Sequence, residues 1–211
     1  STALCLGAML GGIVVEYFGT DAAFIIDACT FLLGAILLAP LTIPQTYDKD
    51  LSGPLFRTAF TNIRKGWTRI AKEARLLRIV FAKASWNIAG GGLAGVFLVI
   101  AGSNLDGFGV ALGFGLFFFA RGIGTGTGPI LARKFLTNQE KWPLLIGVLV
   151  MISGFFYFFV GFTLGMNLWL TVFLVMLAHS ASGANWVLST ILTQMWVEDE
   201  IRGRVFSIDM L

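Results

Sequence analysis

With 211 residues, 56% of them hydrophobic and only 13% charged, the chain has a mean hydropathy of +0.82 and is too apolar for a soluble domain. The formal net charge of +3 and the pI near 9.1 come from basic loops between apolar runs, so they do not imply a nucleic-acid partner, and none is expected. Cys5 and Cys29 fall inside apolar runs and read as buried small apolar residues. With His179 as the single histidine, no metal site and no cofactor are expected.

Runs of eighteen or more apolar residues with few charges read as bilayer-spanning helices. The first is expected over about Thr2 to Phe18, where Gly7 and Gly11, followed by Gly12, form a small-xxx-small pair that admits a neighbouring helix. Gly19-Thr20-Asp21 reads as a tight turn, and a second span follows from about Ala22 to Leu41, with Asp27 as an acid inside it. The stretch from Pro44 to Lys83 holds nine of the fifteen Lys and Arg residues. Within it Phe56, Phe60, Ile63, Trp67, Ile70, Ala74 and Leu77 recur at helical spacing opposite Arg57, Arg64, Lys65, Arg69 and Lys72. Such an amphipathic helix is expected to lie in the headgroup plane of an anionic leaflet, a calmodulin-like or nucleic-acid role being the other reading.

A third span is expected over about Leu76 to Ala101, carrying Trp86-Asn87 and then Gly90, Gly91, Gly92 and Gly95. A turn at Gly102 to Gly107 leads to a fourth, reaching about Ala132, along which Gly109, Gly113, Ala120, Gly124 and Gly128 make a small-residue stripe. The fifth covers roughly Leu144 to Leu164, the sixth Trp169 to Trp196, and a seventh begins near Val205. Since the chain starts with Ser and stops inside a new apolar run, it reads as a piece of a longer protein. The expected fold class is an all-α, polytopic helical bundle with six complete spans and the start of a seventh.

Charge orients the bundle. The stretches Pro44–Lys83, Arg133–Lys141 and Glu198–Arg204 hold fourteen of the fifteen basic residues, whereas the alternate turns hold none. The positive-inside rule then makes the basic set cytoplasmic.

Candidate chemistry is confined to the spans. Gly122 to Gly128 has neither the spacing of a dinucleotide fingerprint nor a lysine-serine ending, so its glycines read as helix packing and Pro129 as a kink. No nucleophile–base pair, carboxylate dyad or HExxH is present, and an enzyme is not expected. Ser182, Asn185, Ser189 and Thr193 form one polar face of the sixth span, either lining a water-accessible cavity or bonding neighbouring backbone. Arg121 and Thr125 share a face of the fourth. Arg121 lies too deep to escape easily to the interface and needs water or a partner, Glu16 and Asp27 being candidates within this stretch and a residue of further helices an equal one. Asn87 joins these as a pathway residue, whereas Lys83 and Glu16 lie near span ends, within reach of the interface.

These residues resemble the major facilitator superfamily of secondary transporters, in particular its bacterial exporter branch with enterobactin exporters and macrolide-efflux proteins. Gly7, Gly11 and Gly12 are similar to the glycines of the Gly-Pro-x-x-Gly-Gly motif of antiporters, with Ala8 in place of its proline. Ala120-Arg121-Gly122-Ile123-Gly124, ending at Gly128-Pro129, looks like the branch's helix eight. Gln194 followed by Arg202-Gly203-Arg204-Val205 looks like the element between helices ten and eleven, with Glu198 where a proline is expected. The resemblance implies a partial major-facilitator fold. Residues 1–43 would be the last two helices of the N-terminal half, 44–75 the cytoplasmic linker and 76–211 the C-terminal half. It implies alternating access around a site near the bilayer midplane. It further implies export of a small amphipathic molecule of drug or siderophore class in exchange for protons, in a bacterial inner membrane. A passive channel or lipid scramblase, or a non-transporting receptor or scaffold, remain the alternatives.

Overall fold

The computed structural model describes residues 2–42, 54–89, 95, 109–164 and 166–209. Its long helices are α1 (Thr2–Leu38), α4 (Val110–Phe135), α5 (Trp142–Thr163) and α6 (Leu168–Trp196). Shorter helices are α2 (Leu55–Lys72), α3 (Ala74–Trp86) and α7 (Asp199–Asp209). Among the described residues four helical stretches are long and apolar enough to cross a membrane: Cys5–Leu38, Val110–Phe135, Gln139–Thr163 and Leu168–Trp196. The first would be about 51 Å long if straight, well beyond a hydrocarbon core of about 30 Å. It is not regular throughout: Gly19 takes φ 82° and ψ 168°, a left-handed conformation that suits a residue without Cβ. The break falls at the expected Gly19-Thr20-Asp21 turn and divides α1 into two stretches, each about one crossing long.

The second of those stretches points its side chains outward. Phe24, Ile25, Phe31 and Leu32 are exposed, as is Cys29, so of the two cysteines only Cys5 is buried as expected. An apolar helix in lipid can leave its surface uncovered by protein because hydrocarbon is its solvent, and the position of Cys29 needs no internal partner. Outward-facing Leu144, Met151, Phe155, Phe158 and Phe162 give α5 a similar face.

Glycines set the packing of α4, but on two faces rather than on one stripe. Toward α1, a Cβ on Gly12 would come within 2.7 Å of the Ala111 carbonyl, and one on Gly115 within 3.1 Å of the Ala8 carbonyl. Gly122 meets the Cys5 backbone, and the Cys5 thiol donates to the Phe119 carbonyl at 3.4 Å. Contacts that run Cys5 to Gly122 and Gly12 to Gly115 make the two helices antiparallel. Gly7 and Gly11 have no neighbour within 4 Å of an added Cβ among the described residues, so Gly12 carries the contact. Toward α6, Gly124 abuts Met176 and His179, and Gly128 abuts Ser180 and Ala184, so α4 and α6 run parallel. With α5 connecting them, this is the alternation expected of an up-and-down bundle.

Helix α2 departs from the single continuous face expected of this stretch. It ends at Lys72, Glu73 is extended at φ −123°, and Ala74 and Leu77 belong to α3. Phe56, Phe60, Ile63 and Trp67 remain exposed, while Gly66 and Ile70 dock on α7, where a Cβ on Gly66 would lie 2.7 Å from the Arg204 carbonyl. Ile70, Leu76, Val80, Val197 and Val205 form the core of this corner. The seventh helix starts at Asp199, earlier than expected, with Asp199 and Glu200 complementing the positive end of its dipole. Arg75 and Arg78 share one pocket with Gln139 and Glu140, and Arg69 pairs with Glu198, so the three basic stretches share one end of the bundle. The expected Gly90-Gly91-Gly92 run and the Gly102–Gly107 turn lie outside the described residues.

Candidate functional site

Near the middle of α4 and α6 the bundle opens into a cavity of about 650 Å³ between α3, α4 and α6. Its walls carry Trp86 and Asn87 from the end of α3, Arg121, Thr125, Gly126 and Pro129 from α4, and His179, Ser182, Gly183, Trp186 and Val187 from α6. The wall between α4 and α6 is tight because of three residues. Pro129 lacks the N–H that would bond the Thr125 carbonyl, and that freed carbonyl lies against Gly183, 2.6 Å from where a Cβ would sit. The Thr125 hydroxyl turns back to the Arg121 carbonyl at 2.8 Å.

His179 is fixed from both sides. Its Nε2 is hydrogen-bonded to the Tyr157 hydroxyl and its Nδ1 lies 3.3 Å from the Ser182 hydroxyl. Tyr157 is the one hydroxyl in the run Phe155-Phe156-Tyr157-Phe158-Phe159, and a buried phenol needs a polar partner. That lone hydroxyl was the available sequence signal for the pair. Trp86 sits edge-on to both His179, at 6.1 Å between centroids, and Trp186, at 6.5 Å. The indole N–H of Trp86 is buried and has no acceptor among the described residues.

Of the residues anticipated for a pathway, the structure brings together Asn87, Arg121, Thr125 and Ser182. Asn185, Ser189 and Thr193 are fully buried and are not among the described lining residues. Ser189 donates to the Trp186 carbonyl at 2.9 Å and Thr193 to the Ser189 carbonyl at 2.9 Å, bonds within their own helix. Asn185 makes no side-chain hydrogen bond among the described residues. Gly124 and Gly128 lie in the α4–α6 contact. Gln194 and Gly203 are exposed, and Arg202 donates to the Val197 carbonyl at 3.0 Å and pairs with Asp199.

Arg121 is half-buried, its guanidinium 5.2 Å from the centre of the Phe118 ring. No carboxylate forms an ion pair with it among the described residues. Glu16 instead abuts Gly109, at the start of α4, and Asp27 is exposed on the second stretch of α1, where the Thr30 hydroxyl donates to its carbonyl.

Lys83 does not reach the interface. It is 1% exposed, pairs with the buried Asp209 of α7, and lies 4.3 Å from the centre of the Trp186 ring, behind the cavity wall. A buried ammonium is tolerable only with such a partner, and Asp209 stands on a helix that the hydropathy pattern placed later in the chain. Nearer the membrane surface, Arg69 forks to Glu73 at 2.8 Å, Glu198 at 3.0 Å and the Trp196 carbonyl at 3.1 Å. The hydrogen bond from Arg69 holds the Glu198 carboxyl below its usual range, and bonds to Glu198 and Glu73 raise the Arg69 guanidinium. Glu198 thus ties α2 to the end of α6.

Helices long and apolar enough to cross a membrane, packed through glycines around a mostly apolar cavity with a few polar groups, are the frame of a multi-pass membrane protein. The chain belongs to the major facilitator superfamily, whose family model matches residues 1–210. No curated protein and no solved structure matches it. Its surroundings are therefore the lipid bilayer and its cargo a small molecule.

Proposed function

We propose that this chain is part of a secondary active exporter that moves a small amphipathic molecule by alternating access, with protons as the coupling ion. The observation that carries this reading is the mid-depth cavity, where Asn87, Arg121, Thr125 and Ser182 stand among Trp86, Trp186 and Val187. A site with a few polar groups in a mostly apolar wall holds an amphipathic solute. In this reading residues 1–43 close the N-terminal half, 44–75 link the halves on the cytoplasmic side, and 76–211 form the C-terminal half. The glycine contact between α1 and α4 then joins the two halves, and rocking at such a smooth contact exposes the cavity to either side. Export, proton exchange and a bacterial inner membrane follow the resemblance to the exporter branch.

The test is transport by the full-length protein in liposomes, using amphipathic dyes of both charges. An imposed pH gradient drives accumulation that a protonophore abolishes. Equal flux with and without the gradient would instead support a passive channel.

A further inference from the structure

We propose that the cavity selects organic anions with a flat conjugated body, held by the Arg121 guanidinium and the Trp86 and Trp186 indoles. This deepens the transport-site reading and rests on it.

The argument starts from charge. Arg121 supplies the permanent formal charge on the described cavity wall, while His179 sits between the Tyr157 and Ser182 hydroxyls. Lys83, a second cation within the bundle, lies against the Trp186 ring and is already paired with Asp209. Among the described residues no carboxylate pairs with Arg121, and a cation at mid-membrane depth is costly until an anion or water meets it. A cationic solute entering the same low-dielectric space would meet uncompensated repulsion, so the wall discriminates by sign. The planar guanidinium fork matches the two oxygens of a carboxylate or sulfonate.

The second feature is shape. Trp86 and Trp186 stand at 66° to one another on the wall shared with Arg121, and the Phe118 ring lies beside the guanidinium. Indoles offer a conjugated solute stacked or edge-on contacts that a saturated chain of equal volume does not make. A cavity of about 650 Å³ has room for a fused-ring acid, within the range of about 300–1,000 Å³ typical of small-molecule sites.

The test uses three probes on one ring system, 2-naphthoate, 2-naphthamide and 2-naphthylmethylammonium, with the purified full-length protein in detergent and no ion gradient. Equilibrium binding should favour the anion over the cation by at least about tenfold, with the amide between. Arg121→Gln should remove at least about tenfold of the naphthoate affinity and leave the amide within about threefold, while Arg121→Lys retains part of the preference. Equal binding of the three by the unaltered protein, or a preference for the ammonium, overturns the proposal, and that comparison needs no variant to fold. Cyclohexanecarboxylate binding as tightly as naphthoate overturns the conjugated-body element. The same probes in liposomes separate the two readings. Anion-selective binding without movement of any probe sinks transport at this site, whereas gradient-driven movement of the ammonium alone sinks anion selectivity.

Discussion

Arg121 and Lys83 are both cations inside the bundle, yet the protein treats them oppositely. Lys83 is sealed between Asp209 and the Trp186 ring, whereas Arg121 is left half-exposed on a cavity wall. The α2–α3–α7 corner continues the first pattern: Arg69 is shared between Glu73 and Glu198, and Arg202 pairs with Asp199. Charge at that corner is taken up by partners within the protein. The charge in the cavity has no such structural partner among the described residues, and that difference marks it as the one available to a solute.

Breaking the sealed pair should have the largest effect. Lys83→Met leaves the Asp209 carboxylate buried and unpaired, at an expected cost of about 3–5 kcal/mol, read from thermal unfolding of the full-length protein in detergent. Adding Asp209→Leu should recover most of that loss. If the double variant is no better than the single one, the pair is not what holds this corner.

Next in size is the glycine contact between α1 and α4. Gly12→Val would drive a side chain into the Ala111 carbonyl, 2.7 Å from the Cβ position, and should destabilise the protein by about 1–3 kcal/mol. The same change at Gly7, which has no neighbour within 4 Å of an added Cβ among the described residues, should cost little. Equal effects at the two positions would return the contact to the Gly7–Gly11 register that the spacing suggested.

Arg121→Gln sharpens the comparison from the other side. Transport in liposomes should fall by at least about tenfold while the melting temperature stays near that of the unaltered protein, the reverse of the Lys83 variant. A large loss of stability would mean that Arg121, too, is structural.

The smallest effect is expected at Glu198, which lies at the surface. Its carboxyl is depressed by Arg69, so the pair's contribution is fully present above the usual value near 4.5 and is lost as pH falls through the lowered one. Unfolding followed from pH 7 downward should therefore show a decline at the acid end that Glu198→Gln flattens. A decline unchanged in that variant would assign it to other carboxylates.

How much of this was written in the sequence depends on the length scale of the signal. Spans and the side on which the basic stretches meet follow from composition over about twenty residues, and the Gly19 break from a single residue type. Glycine faces were harder. Gly115 and Gly122 turn toward α1 while Gly124 and Gly128 turn toward α6, a division that linear spacing cannot assign without knowing both neighbours. The polar stripe of α6 divides in the same way. Ser182 reaches the cavity, but Ser189 and Thr193 satisfy themselves on their own backbone, an option open to any hydroxyl in a helix. The Lys83–Asp209 pair joins residues more than a hundred positions apart, and no local pattern announces it.

The most direct test of the account is access to the cavity itself. Single cysteines at Thr125 and Ser182, in a full-length protein with Cys5 and Cys29 replaced by alanine, would be exposed to an impermeant thiol reagent from each side of oriented liposomes. Alternating access predicts that both positions label from both sides, and that an imposed pH gradient speeds one side while slowing the other. Labelling from a single side, unaffected by the gradient, would contradict the assignment of this cavity as the transport site.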